Sequence, residues 1–113
     1  MSDAFAVADC FFAAVAAGDL DTVASLYAPD ATIWLNTTGT RVDVAGNLRV
    51  LKWLGRVLTD RRYDVIRRQA TPEGFVQQHV LRGTLADGSA FAMDACSVAA
   101  VMQGRSTRRD EYL

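Results

Sequence analysis

FVQQHVLRGTLADGSAF, residues 75–91, decides the fold. Its Ala86-Asp87-Gly88-Ser89 centre is a hairpin signal, because glycine accepts the positive φ that such a turn needs. Two long strands should flank it. Alternation puts Gln77, His79 and Leu81 on one face of the first strand and Val76, Gln78, Val80 and Arg82 on the other. His79 is the chain's single histidine. A polar side chain in the middle of a well-covered strand must find a partner or line a cavity. A cavity is the reading taken here, with a structural histidine as the plainer alternative.

The two-residue period extends in both directions from this hairpin. Residues 62–71 read as a strand, and Thr71-Pro72-Glu73-Gly74 as a turn. The hairpin's second strand runs to about 102, and Gln103-Gly104 turns the chain into a last strand, 105–113. Upstream the period is helical. Phe5, Ala8, Phe12 and Val15 mark a helix over about 2–17, with Gly18 as its stop and Asp19 as cap of the next. That short second helix carries Leu20, Val23, Leu26 and Tyr27 and is expected to end at Pro29. Residues 30–36 alternate as a strand, with Thr32, Trp34 and Asn36 on one side and Ile33 and Leu35 on the other. A loop at 37–39 precedes a third helix, about 46–58. That helix is apolar nearly all round and is expected to be wedged between layers. The sum is one α+β domain over 1–113, a cone. Its three N-terminal helices pack on a curved antiparallel sheet, and a pocket opens at the mouth.

Composition narrows the function. The chain has 113 residues, enough for one core. Its net charge is −1, which excludes a general nucleic-acid binder, since these carry a basic excess. No apolar run is long enough for a membrane span, and the first ten residues lack a signal peptide's basic start. Cys10 and Cys96 sit in apolar stretches. They are expected as free thiols packed like small hydrophobes in a reducing cytoplasm. One histidine without a ligand-spaced cluster predicts no metal site.

Three stretches carry a resemblance: AAGDLDTVASLYAPDATIW (16–34), VAGNLRVLKWL (44–54) and GRSTRRDEYL (104–113). Together they resemble the nuclear transport factor 2-like superfamily. It includes SnoaL-like polyketide cyclases, ketosteroid isomerases and limonene-epoxide hydrolases. The likeness implies the cystatin-like cone fold, chemistry without a cofactor, and a homodimer through the outer sheet face, here Val76, Val80, Val98 and Ala100 between arginines. At the position of the isomerases' oxyanion tyrosine stands Phe11. Their base aspartate falls near Leu35 or Asn36, and their protonated acid near Ser97. The epoxide hydrolases' first-strand Tyr and Asn match Trp34 and Asn36. Their Arg-x-Asp resembles Gln77-Gln78-His79, and their second Asp falls on Glu111, or on Asp110 if the strand slips by one.

These residues predict a proton-transfer site for a compact, largely apolar small molecule. Isomerisation, cyclisation or water addition would all suit it. His79 is the candidate general acid–base, because its ordinary pKa lies near neutrality. Glu111 or Asp110 would tune it. Phe11, Trp34, Asn36, Trp53, Gln77, Met93, Ser97 and Arg109 are the candidate substrate contacts. Plainer readings stand beside these. Trp34 and Trp53 suit a core, and Arg109 with Glu111 suits a simple ion pair on one strand face. Asp94 is expected on the outer face. The rival to an enzyme is a non-catalytic ligand-binding or dimerisation domain.

Overall fold

A computed structural model describes residues 4–113. The predicted start of the first helix at Ser2 lies outside them. The elements are α1 (Ala4–Ala17), α2 (Leu20–Ser25), β1 (Tyr27–Leu35), β2 (Thr40–Val42), α3 (Val44–Val57), β3 (Leu58–Ala70), β4 (Gly74–Leu85), β5 (Ala90–Met102) and β6 (Arg105–Tyr112). The strands form one sheet in the order β2-β1-β6-β5-β4-β3. This is an α+β architecture of three helices and a six-stranded sheet.

The turns follow their chemistry. Gly88 takes φ +86°, and the Asp87 carboxylate accepts hydrogen bonds from the Ser89 N–H and hydroxyl. Thr71 caps the β3–β4 turn, its hydroxyl accepting from the Gly74 N–H at 3.0 Å. Gly74 is required there for a second reason. A Cβ at this position would lie 2.1 Å from the Ala99 carbonyl oxygen of β5. Asp19 caps α2 through the Thr22 N–H, and Asp43 caps α3 through the Gly46 N–H.

Four expectations are corrected. Pro29 does not end a helix but sits inside β1. The β1–β6 register jumps from Tyr27↔Ser106 to Thr32↔Arg108, so the proline occupies a bulge where no ladder hydrogen bond is asked of it. The sheet is mixed: β1 runs parallel to β6, while the other neighbours are antiparallel. The short strand β2 pairs with the end of β1 just after the expected loop at 37–39, where no element was expected. Finally, α3 is not wedged between layers, for only Gly46 and Asn47 are buried on it, and Val50 and Trp53 are exposed.

The core fills one end of the cone. Ala8, Phe11, Phe12 and Val15 of α1 pack with Val23, Tyr27, Ile33, Phe75 and Ala99. Phe11 meets Phe12 and Tyr27 edge-on with ring centroids 5.2 and 5.4 Å apart, a favoured aromatic geometry. Alternation along β4 and β5 sends Gln77, His79, Leu81, Ala95, Ser97 and Ala99 inward. Cys96 is half-buried, but Cys10 is exposed on α1 rather than packed. No helix among the described residues is long and apolar enough to cross a membrane.

Candidate functional site

At the end of the cone away from that core, α3 and the inward sheet face enclose a cavity of about 350 Å³. Val50, Trp53, Leu54 and Val57 of α3 form one wall, and Leu58, Leu81, Leu85, Phe91 and Met93 of the sheet form the other. The polar groups converge at the floor: Asn47, Tyr63, His79, Arg109 and Glu111. Small Ala95, beside His79 in the ladder, leaves this floor open. Trp53 is 54% exposed and stands at the mouth.

Arg109 and Glu111 are two residues apart on β6, so one pleat turns both inward. They form an ion pair, Nη1 to Oε1, at 2.5 Å. Arg109 is 4% exposed. Its Nε donates to the Tyr27 hydroxyl at 3.0 Å, and that hydroxyl donates to Asn47 Oδ1 at 2.8 Å. The Phe11 ring lies under the guanidinium, 4.7 Å from its centroid. Burial disfavours the Arg109 charge, but the Tyr27 oxygen and Glu111 outweigh it and raise its pKa. A cation held so firmly locks its carboxylate in place. The second carboxylate oxygen, Oε2 of Glu111, is buried without a hydrogen-bond partner, as is the Ser97 hydroxyl. Ser97 stands directly opposite Glu111 in the ladder.

His79 closes a cluster of three rings, its centroid 4.9 Å from Phe12 and 5.0 Å from Tyr63, which are 4.9 Å from each other. Its Nδ1 is 3.0 Å from the amide nitrogen of Gln77. The Gln77 oxygen accepts from Arg68 Nε at 3.0 Å, and Arg68 Nη2 donates to Asp9 at 2.7 Å. Burial lowers the His79 pKa below its ordinary 6.5, only partly offset by the Glu111 charge. Burial also pushes the Tyr63 hydroxyl up to about 12.

The residues singled out in the sequence thus divide. His79, Trp53, Met93, Arg109 and Glu111 line the cavity. Gln77, Ser97 and Phe11 do not line it: Gln77 and Ser97 are wholly buried behind His79 and Glu111, and Phe11 backs Arg109 from the core. Three were misplaced. Asp110 points to the outer face, tied to Arg108 at 2.8 Å and Arg41 at 3.3 Å, so Glu111 is the inward carboxylate. Trp34 also faces outward, packed 5.3 Å from Tyr112, because β1 turns Ile33 and Leu35 inward. Asn36 lies beyond β1 and clasps the backbone of Leu113, accepting its N–H at 2.9 Å. Sequence reasoning missed Asn47, Tyr27, Tyr63 and Arg68. The sign of Asn47 was a lone amide in the apolar run of α3; the others gave none. Among the described residues no cluster of three or more His, Cys, Asp or Glu side chains converges.

No curated protein matches the sequence significantly. Solved structures do. IdmH of Streptomyces antibioticus, a proposed polyketide cyclase, is 26% identical with a TM-score of 0.84, over 93% of this chain and 87% of its own. A proposed polyketide cyclase of Xanthomonas campestris is 21% identical with a TM-score of 0.84, over 98% and 90%. An M. tuberculosis LEH-like epoxide hydrolase is 18% identical with a TM-score of 0.81, over 97% and 81%. The profile of the SnoaL-like domain matches residues 8–109, nearly the whole described chain, and this protein belongs to that family.

Proposed function

We propose that this chain is a cofactor-independent enzyme that moves a proton on a compact, largely apolar small molecule, by isomerisation, cyclisation or water addition. One observation carries the reading: a carboxylate oxygen, Glu111 Oε2, is buried without a partner at the floor of an apolar cavity. A lone pair stripped of water and held rigid is a competent base for a carbon-bound or water proton. Arg109 fixes the carboxylate, and His79 is the second functional group of the floor, facing the same reacting atoms. Gln77 and Ser97 stand behind the polar floor, next to His79 and Glu111, and Trp53 and Met93 bound the apolar part. Proposed cyclases and an epoxide hydrolase among the structural relatives support this chemistry. The free thiols fit a reducing compartment such as the cytoplasm. The outer sheet face is proposed as a homodimer interface.

The test follows deuterium uptake next to the carbonyl of compact cyclic ketones in heavy water, with Trp53 fluorescence reporting binding. Bound ketones should exchange, and Glu111→Gln should slow this by about 100-fold or more, the scale of a lost general base. Saturable binding without exchange, equal in wild type and Glu111→Gln, would leave a non-catalytic binding domain instead.

A further inference from the structure

We infer that Gln77 and Arg68 are positioning residues that fix which nitrogen of His79 carries the proton, holding the ring as a neutral Nε2–H donor toward the cavity. The argument starts at Arg68, whose guanidinium can only donate. Its Nε meets the Gln77 side chain at 3.0 Å. Its Nη2 is tied to Asp9, and Phe5 lies 5.1 Å from it. The Gln77 atom facing Arg68 must therefore be the oxygen, which turns the amide N–H₂ toward His79. That amide nitrogen is 3.0 Å from Nδ1. Two donors cannot share this contact, so Nδ1 offers its lone pair and the ring proton sits on Nε2. Swapping the amide would set N–H₂ against the Arg68 N–H. Protonating His79 would set Nδ1–H against the Gln77 N–H₂.

The surroundings act in the same direction. Gln77 is wholly buried and His79 is 2% exposed, so water cannot easily replace the lost contacts. Phe12 and Tyr63, in contact with each other, both pack edge-on against the ring and limit its rotation. Burial is the largest influence on His79 and disfavours its cation; of the charged groups it feels, Glu111 favours the cation and Arg109 opposes it along with burial. Tyr63 is uncharged near neutrality. Nε2 has no hydrogen-bond partner among the described residues, and the ring lines the cavity. Resting on the reading above, this divides the labour. Glu111 Oε2 takes the proton and later returns it, while His79 Nε2–H donates a hydrogen bond to the oxygen on which negative charge grows. A neutral imidazole is thus the electrophile, not the base.

The single histidine makes the test direct. The full chain is labelled with ¹⁵N-histidine, and the imidazole nitrogens are read by long-range ¹H–¹⁵N correlation across neutral pH. A pyrrole-type Nε2 with a pyridine-type Nδ1 is expected; the reverse pattern, or a doubly protonated ring at pH 7, overturns the inference. In Gln77→Glu the new carboxylate accepts from both Arg68 and Nδ1–H, so the proton should move to Nδ1 and the ring should titrate at higher pH. An unchanged tautomer in folded Gln77→Glu also overturns it. If that variant does not fold, the wild-type spectrum decides. No substrate is involved, so the outcome is independent of the ketone-exchange test.

Discussion

The pair Arg109–Glu111 is where one substitution should have the largest effect on stability. Arg109→Met strands a buried carboxylate, and removing one partner of a buried pair costs about 3–5 kcal/mol. The urea midpoint should fall accordingly with an unchanged slope. An unchanged midpoint would mean the carboxylate is hydrated and the pair is not a buried one. His79 gives a second, pH-dependent signal. Its folded pKa is lowered from 6.5, so at mildly acidic pH the unfolded chain binds a proton that the folded chain refuses. Stability is then full above about pH 6.5 and falls as the pH drops toward the folded pKa. Most carboxylates titrate below this window, near 4. The melting temperature should therefore decline on going from pH 7 to mildly acidic pH, and His79→Gln should flatten that decline. A wild-type melting temperature constant across the window would contradict the lowered pKa.

Among the elements, the hairpins are rigid and α3 is the loose wall. β4 is trapped between β3 and β5, and Gly74 shows how closely. Gly74→Ala would drive a Cβ into the Ala99 carbonyl, and overpacking of this kind costs about 1–3 kcal/mol. Denaturant unfolding reads it; a neutral effect would mean that the β4–β5 contact opens easily. In contrast, α3 rests on a cap and one apolar side. Asp43→Ala should cost about 1 kcal/mol by leaving the Gly46 N–H without its acceptor. Amides of α3 should exchange faster than those of β4 and β5 and gain protection when an apolar ligand enters. The hairpins were legible in the sequence because Asp87-Gly88 and Gln103-Gly104 state their backbone needs locally, and period two then sorted Gln77, His79 and Leu81 inward. The setting of α3 was not, because an all-round apolar helix reads the same against a second layer as against a cavity. Trp34 was misread for a related reason: alternation paired it correctly with Thr32, but which face of β1 turns inward is set by its parallel partner β6, far along the chain. The Glu111 or Asp110 ambiguity was likewise settled by strand register, with Ser97 opposite Glu111 and Val98 opposite Asp110.

At the scale of the molecule, the sheet has helices on only one side. A sheet face left to water should be polar at alternate positions. This one carries Val76, Val80, Val98, Ala100 and Tyr112 across its middle strands, with Val98 36% and Tyr112 45% exposed. Charged residues share this face, Arg82 paired with Asp64 and Arg108 with Asp110, while Asp94 stands opposite Val80 and Asp110 opposite Val98. A face of this kind can meet its own copy about a two-fold axis, burying its valines while the carboxylates beside them keep their arginine partners or pair with arginines of the second copy. Sedimentation at tens of micromolar protein should give about twice the chain mass of 12.3 kDa. Val98→Lys should break the pair, because two like charges would then face each other across the axis. The same lysine is tolerable in a monomer, since Asp110 stands opposite position 98 in the ladder. The cavity lies on the helix side of the sheet, so its mouth stays open in the dimer, and ligand affinity per chain should be unchanged in Val98→Lys. A wild-type monomer at that concentration would refute the interface, and lost affinity in a folded Val98→Lys monomer would show that the second copy helps to build the site.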